Sequence, residues 1–282
     1  MQREPDSSGV QLSWVLAPNG GPRTLDGTRT YIFTAERTVW IVDPGPALRE
    51  HAQAVVDAAV ATGARRVGGI IVTHHHDGHT GATSMVRRAL SSATGITVPL
   101  WAAEPSLVPG AAPVPSEISL DGRVVADVIH LPGHTADSIG LLLEGGELLT
   151  GDALLTGAPT VVGEDCTLHE YLQCLNIIRV MCMDGRISGL YPGHGEPIDA
   201  PHEALVASQE ALAHRQERLE QVRSARERGV LTVRRMFEEI YGREFAALRD
   251  EGAGAEELES FRERSERNIR AALEYITGID RP

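Results

Sequence analysis

The sequence predicts an α/β domain followed by a small helical domain. Short apolar runs that end at glycine or proline alternate with segments of helix-like apolar spacing, as in α/β folds. Four of these runs end in a turn that carries a side chain able to bind a metal. From Asp199 onward the chain becomes charged and helical in pattern. We therefore place the α/β domain at residues 1–200 and the helical domain at residues 201–282.

The order of the predicted elements supports this division. A strand that stops at Asp43 precedes a helix that ends at Gly63, and the next strand runs into a histidine cluster, which is a β-α-β order. Gly, Pro and Asn separate the other apolar runs. The predicted strands are 10–16, 30–34, 38–42, 67–72, 97–101, 117–120, 123–130, 138–143, 147–149 and 187–191; the predicted helices are 47–62, 81–90, 168–183, 201–228, 233–241 and 256–275; the predicted loops include 104–115 and 250–256.

Composition excludes several classes of function. The 282-residue chain contains no lysine, so it has neither a Schiff-base lysine nor a P-loop lysine. Its formal net charge is −13, which disfavours nonspecific binding to a nucleic acid backbone. No apolar stretch reaches membrane-spanning length, and no apolar segment of a signal peptide follows Met1. We expect a soluble, cytoplasmic protein without a membrane partner.

The three cysteines are odd in number and spaced eight residues apart. This spacing places Cys166, Cys174 and Cys182 along one side of a helix. They are typical of reduced core residues of a cytoplasmic protein, and a soft-metal site is the alternative.

A histidine cluster follows the predicted strand 67–72. His74 and His76 are two residues apart, so in extended chain both imidazoles face one side, and His79 returns to that side after a turn at Gly78. Neutral imidazole is the commonest metal ligand in proteins. An accidental or purification-type tract is the alternative, but such tags lie at chain ends without a strand before them.

Three more metal-capable side chains follow predicted strands. His134 and His194 lie in Pro-Gly-His turns, and Asp152 follows Thr150-Gly151. A lone histidine is more often a structural residue than a ligand. The shared position at strand-to-loop junctions favours a common site, because loops on a rigid scaffold carry function.

Asp43 has two interpretations at this stage. It is either a turn carboxylate that binds its own backbone or an acceptor that orients a metal-bound histidine. The sequence alone does not favour one over the other.

These motifs together resemble the metallo-β-lactamase superfamily. Thr-His-x-His at 73–76, Gly-His-Thr at 133–135, Thr-Gly-Asp at 150–152 and Pro-Gly-His-Gly at 192–195 occur in that family's order. The segment Gly21-Pro22-Arg23-Thr24-Leu25-Asp26-Gly27-Thr28, the turn Val42-Asp43-Pro44-Gly45-Pro46 and the helical tail resemble the branch that contains β-lactamase-like protein 2 and its bacterial relatives. The resemblance covers essentially the whole chain.

The resemblance implies an αββα sandwich with a dinuclear metal site at one edge, followed by a small winged-helix-like helical domain. It implies His74, His76 and His134 around one metal, and His79, His194 and an aspartate of the first motif around the other, with Asp152 as the bridge.

The chain departs from the family pattern at one ligand. The family motif is His-x-His-x-Asp-His, but this chain has Gly78 at the aspartate position and Asp77 one place earlier. A one-residue shift turns a side chain the other way in extended structure, although Gly78 gives the turn freedom to compensate. We expect the first site to bind zinc tightly and the second to bind it weakly or only with substrate, with Asp77 as a candidate ligand.

The ligand set predicts hydrolysis. Three imidazoles leave zinc an open position, where the pKa of a bound water falls to about 7 and gives a hydroxide nucleophile. Asp152 is the candidate to hold the nucleophile's remaining proton, and Asp77 is the candidate proton shuttle.

Three functions remain open for this site. The first is hydrolysis of a thioester, ester or lactone carbonyl, including a carrier-protein-bound polyketide acyl thioester. The second is metal-dependent RNA cleavage, which resembles members of the same branch but which the acidic balance disfavours. The third is a noncatalytic or ring-closing metal-binding protein. The sequence leaves the oligomeric state open.

Overall fold

Two β-sheets face each other, with helices on both outer sides, in the computed structural model, which describes residues 9–278. The first sheet has the order β1-β2-β3-β4-β5-β6, and its last three pairings are parallel. Its strands are β1 (Val10–Leu16), β2 (Arg29–Ala35), β3 (Thr38–Val42), β4 (Arg66–Ile71), β5 (Leu100–Ala102) and β6 (Ala112–Pro113).

The second sheet has the order β11-β10-β9-β8-β7. Its strands are β7 (Glu117–Leu120), β8 (Arg123–His130), β9 (Ile139–Leu143), β10 (Glu147–Gly151) and β11 (Gly189–Pro192). Strands β10 and β11 are parallel, so the loops after them leave at the same edge of the sheet.

The helices are divided between the two outer faces and the tail. Helices α1 (Arg49–Ala61) and α3 (Thr83–Thr94) cover the first sheet, and the four-residue α2 (Asp77–Thr80) precedes α3. Helix α4 (Leu168–Met183) covers the second sheet and begins with a capping box between Thr167 and Glu170. The tail contains α5 (Pro201–Glu227), α6 (Val233–Ile240), α7 (Gly242–Asp250) and α8 (Ala255–Thr277).

Three hydrophobic clusters correspond to the three layer contacts. Phe33 and Trp40 stack 5.0 Å apart between the two sheets, where Leu141 of the second sheet also packs. A second cluster lies between the first sheet and α1 and α3, and a third lies between the second sheet and α4. The predicted αββα arrangement is confirmed, since each sheet buries one face on its partner and the other on helices.

The third cluster continues into the tail. Leu175 of α4 and Leu190 of β11 belong to the same cluster as Val222, Met236 and Ile269 of the tail helices. Helix α5 begins at Pro201, where we place the domain boundary. Because one apolar cluster spans that boundary, the division into two domains stays a prediction.

Several details differ from the sequence prediction. Helix α7 was not predicted, because it follows α6 directly and has no fully buried side chain to mark its inner face. The predicted loop 104–115 contains a short 3-10 helix (Pro105–Leu107) and strand β6. Within residues 9–278, every helix falls short of the length or apolarity that a membrane crossing requires.

The cysteines are buried and free. Cys174 and Cys182 lie on α4, and Cys166 lies just before it, all three in the cluster under that helix. Burial raises the pKa of the Cys174 thiol to about 12, so it remains protonated and unreactive at neutral pH. The metal-capable groups found among the described residues contain no cysteine.

Candidate metal centre

The predicted site residues meet where strands of the two sheets end. His74 follows β4 of the first sheet, whereas Asp152 and His194 follow β10 and β11 of the second. Direct bonds join the sheets here: Ile139 N donates to Thr73 O (2.9 Å), and Arg29 N donates to Gly193 O (2.9 Å).

Two glycines allow this close approach. A Cβ on Gly193 would lie 2.5 Å from Asp152 Oδ1, and one on Gly151 would lie 2.6 Å from Thr73 Oγ1. Any larger residue at either position would push the strand ends apart.

His74, His76 and His134 form the first group of donors, which we call the histidine group. His76 Nδ1 lies 3.1 Å from His74 Nε2 and 3.0 Å from His134 Nε2. His74 is buried, His134 is half-buried and His76 is exposed, so the group opens toward solvent on one side.

His74, His79 and Asp152 form the second group, the aspartate group, and all three are buried. Asp152 Oδ1 lies 3.4 Å from His79 Nε2. Its Oδ2 lies 3.4 Å from His194 Nε2, 3.5 Å from His134 Nε2 and 3.9 Å from His74 Nε2. The Asp152 carboxylate therefore joins His134 of the histidine group to His79 and His194.

Four of the five imidazoles are held at the ring nitrogen that faces away from the other donors. The Nδ1 atoms of His134 and His194 contact the carbonyl oxygens of Val161 (3.1 Å) and Gly27 (2.9 Å). His74 Nδ1 contacts Thr73 Oγ1 (3.1 Å). An acceptor at the outer nitrogen fixes the tautomer and leaves the inner nitrogen free to bind a metal.

Asp43 is the outer acceptor of the fourth imidazole, that of His79. Its Oδ2 lies 2.8 Å from His79 Nδ1 and accepts from Thr73 Oγ1 (2.7 Å), while its Oδ1 accepts from Thr73 N (2.7 Å). Asp43 adopts a left-handed backbone (φ +52°), which aspartate tolerates better than most residues. The partners are 30 and 36 residues away, so the carboxylate does not serve its own turn.

The two groups have opposite electrostatics. In the histidine group, burial and neighbouring imidazoles lower the pKa of His76 to about 4 and the pKa of His74 well below its usual value. In the aspartate group, burial disfavours the charged imidazole, but the carboxylates of Asp152 and Asp43 outweigh it and raise the pKa of His79 to about 10. Burial raises the pKa of Asp152, yet His79 and His194 hold it well below the usual value.

The donors fit a divalent metal. Among the described residues, His79 Nε2 and Asp152 Oδ1 are buried without a hydrogen-bond partner, although they lie 3.4 Å apart. The 3.0–3.1 Å separations within the histidine group are close to the edge of about 3.3 Å expected for a tetrahedron with bonds of about 2.05 Å. Buried imidazole and carboxylate atoms left without partners are costly unless a cation joins them.

Sequence comparison agrees with this geometry. Residues 23–214 match the family model of the metallo-beta-lactamase superfamily. The chain belongs to the metallo-beta-lactamase superfamily. It is 31% identical over 232 residues to the beta-lactamase-like protein 2 homolog of Caenorhabditis elegans, a match that covers 80% of this chain and 72% of that protein.

Two further comparisons concern a relative that is named as a thioesterase and a solved structure of similar fold. An atrochrysone carboxyl ACP thioesterase of Aspergillus fumigatus is 30% identical over 241 residues, covering 81% of this chain and 73% of that protein. A beta-lactamase domain protein of Burkholderia ambifaria superposes with a TM-score of 0.71 over 98% of this chain and 89% of that one; at 18% identity this likeness concerns the fold alone. The chain is an enzyme of the metallo-beta-lactamase superfamily.

Two predicted ligands of this metallo-beta-lactamase family member, His194 and Asp77, lie outside both donor groups found among residues 9–278. His194 Nε2 still lies 3.4 Å from Asp152 Oδ2, whereas Asp77 is the exposed first residue of α2. The structure does not group Asp77 with the donors, and its role as a ligand stays a prediction.

The sequence reasoning missed the groups that hold the ligands. Two are backbone carbonyls, of Val161 and Gly27, whose roles leave no signal in residue type. Thr73 is different, because it directly precedes His74 and its hydroxyl joins His74 to Asp43. A hydroxyl next to a candidate ligand was a readable signal.

Proposed function

We propose that this enzyme is a zinc-dependent thioesterase that hydrolyses an acyl group carried as a thioester, with a carrier protein as its partner. The donor set carries the proposal: three mutually close imidazole nitrogens, with a buried carboxylate beside them. Three relatives bear the name atrochrysone carboxyl ACP thioesterase, which supports a carrier-bound acyl substrate.

His74, His76 and His134 would hold the first zinc, and His79, His194 and Asp152 would hold the second. When bound, zinc lowers the pKa of water to about 7 and polarises a carbonyl oxygen. The reaction adds the water oxygen to the thioester carbon, breaks the C–S bond, and yields a carboxylic acid and a thiol.

The protein's own groups move the protons. Asp152 stays ionised at neutral pH, so its carboxylate can accept a hydrogen bond from the attacking water. Asp77 is exposed and follows the exposed His76 in the chain. We propose that it takes up the proton released by the attacking water and passes it to the leaving thiolate.

A substrate panel tests the proposal. The zinc-loaded enzyme is assayed with octanoyl-N-acetylcysteamine, single-stranded RNA and a β-lactam, and thiol release is followed with a chromogenic disulfide. We expect thioester turnover that disappears after chelation and returns with zinc.

Other outcomes of the panel identify the other functions. RNA cleavage that weakens with salt would favour the ribonuclease alternative. Zinc binding without any turnover would favour the noncatalytic or ring-closing alternative. Thioester turnover by the metal-free protein would contradict the proposal.

A further inference from the structure

A cavity of about 640 Å³ lies between α8 and the loop that joins β1 to β2. This volume is typical of sites for small organic ligands. Most of its wall is apolar, and the apolar residues that line it include Leu25, Pro159, Leu248 and Phe261. The cavity therefore suits a ligand with an apolar body.

One face of α8 supplies hydrogen-bond donors to the cavity. Arg264 and Asn268 are four residues apart and both line it. Arg264 Nε donates to Ser260 O (3.2 Å), but within residues 9–278 its two terminal nitrogens have no hydrogen-bond partner. Asn268 Oδ1 accepts from Val162 N (3.3 Å), which leaves its amide hydrogens for another acceptor.

The same segments line the cavity and support the metal centre. Pro159 precedes Thr160, whose hydroxyl donates to Asp152 O (3.0 Å). Leu25 lies two residues before Gly27, whose carbonyl contacts His194. A molecule in the cavity is therefore next to the segments that hold the donors.

Charged side chains that line the cavity determine which type of ligand oxygen can bind there. Glu257 and Glu244 also line it, and Glu244 is paired with Arg218. Because the Glu257 carboxylate lines the same cavity and acts on the Arg264 charge, a neutral or weakly acidic oxygen fits better than a dianion such as phosphate.

Resting on the proposed function, we propose that this cavity holds the acyl part of the thioester. The ligand class is an apolar acyl chain whose far end carries a neutral or weakly acidic oxygen, such as a phenolic or carbonyl oxygen. That oxygen accepts hydrogen bonds from Arg264 and Asn268.

Two thioesters of equal length test the assignment: N-acetylcysteamine esters that end in a hydroxyphenyl or a phenyl ring. Arg264→Met should lower kcat/KM about tenfold for the hydroxyphenyl ester alone, the factor of one charge-assisted hydrogen bond. Arg270→Met is the control, since Arg270 is an exposed residue of the same helix that pairs with Glu266. Equal selectivity of Arg264→Met and wild type would overturn the assignment.

Binding of the two free acids, measured by calorimetry, separates this inference from the proposed function. If neither ester turns over but the hydroxyphenyl acid binds through Arg264, the cavity assignment stands and the thioesterase proposal fails. If both esters turn over without any dependence on Arg264, the cavity assignment fails alone. Leu248→Trp, which narrows the cavity from α7, should slow both long esters but not an acetyl ester; an equal effect on all three would contradict the assignment.

A second inference concerns the 160–163 segment, which connects the metal centre to the tail helices. On one side, Thr160 Oγ1 donates to Asp152 O (3.0 Å) and Val161 O contacts His134 Nδ1 (3.1 Å). These bonds bring two donors of the centre into contact with consecutive residues of one segment.

The tail helices bind the other side of the same segment. Arg215 of α5, which is buried, donates to Thr160 O. From α8, Arg267 Nε donates to Val162 O (3.1 Å), and Asn268 Oδ1 accepts from Val162 N (3.3 Å). The tail thus holds the backbone that orients His134.

The geometry assigns Arg267 as a positioning residue for His134 in the proposed metal site. Zinc affinity, measured by competition with a chromophoric chelator, should fall about tenfold in Arg267→Ala, as for other groups that orient ligands. Arg267→Lys should restore part of the affinity, and the control Arg270→Ala should leave it unchanged. A lower melting temperature with unchanged zinc affinity would show a merely structural role and overturn the assignment.

Discussion

The histidine group and the aspartate group share His74 but differ in charge. The histidine group is partly exposed, and its imidazoles are neutral at pH 7 because burial lowers the pKa values of His74 and His76. The aspartate group is buried and contains an ionised carboxylate beside His79, whose pKa is raised to about 10. One group is therefore ready to bind a cation, whereas the other must first release a proton.

The largest expected effect comes from removing the exposed member of the histidine group. His76→Ala deletes the nitrogen that lies about 3 Å from both other members, so we expect loss of thioester hydrolysis and of the tightly bound zinc. Activity and metal content after dialysis are the measurements. Retention of one tight zinc in this variant would mean that the aspartate group binds first.

The pH dependence of metal binding should separate the groups. His79 is protonated below its pKa of about 10, so affinity at the aspartate group should rise about tenfold per pH unit, or about a hundredfold from pH 7 to pH 9. His76 has a pKa of about 4, so binding at the histidine group should release no proton from it at pH 7. Calorimetry in buffers of different ionisation enthalpy measures the protons released. Equal proton release in both binding steps would contradict the difference in protonation between the two groups.

Asp43→Asn should weaken the aspartate group alone. Asparagine tolerates the left-handed backbone, and its Oδ1 can still accept from Thr73 N. Its amide nitrogen, however, replaces Oδ2, the oxygen that contacts both Thr73 Oγ1 and His79 Nδ1. We expect about tenfold lower affinity for the second ion and little change for the first. Competition titrations report both, and an equal loss at both groups would indicate a general structural effect.

Gly78→Asp should have the opposite effect and strengthen metal binding at the second site. Within residues 9–278, a Cβ at Gly78 meets only Thr28 Oγ1, at an ordinary 3.7 Å. The backbone there is not left-handed, so the fold accommodates a side chain. The added carboxylate should raise tightly held zinc from about one to about two ions per chain. Metal analysis of the dialysed variant beside wild type tests this. Two tightly held ions in wild type would refute our expectation for the second site.

Much of the fold was predictable because the local patterns are strong. The strands Val10–Leu16, Thr38–Val42 and Arg123–His130 and the helix Leu168–Met183 have the predicted bounds, since alternation, turn residues and the Thr167 cap all act locally. Helix α2 was not predicted, because a turn at Gly78 and a single helical turn leave the same signal.

Contacts between distant residues explain what the sequence left open at the site. Asp43 has two possible roles until its position relative to Thr73 and His79 is known. Asp77 was a candidate ligand because spacing does not give the direction of a side chain within a turn. The 160–163 segment contains no metal-capable side chain, so its contact with His134 could not be inferred from residue types.

The apolar cluster under α4 has a consequence for how the chain loses its structure. The strand β11, helix α4 and the tail helices bury side chains in the same cluster. We therefore expect denaturant to unfold the αββα sandwich and the tail in one cooperative transition. A truncation after residue 200 would expose the apolar side chains of α4 that the tail helices cover. Such a fragment would aggregate rather than survive as a smaller hydrolase.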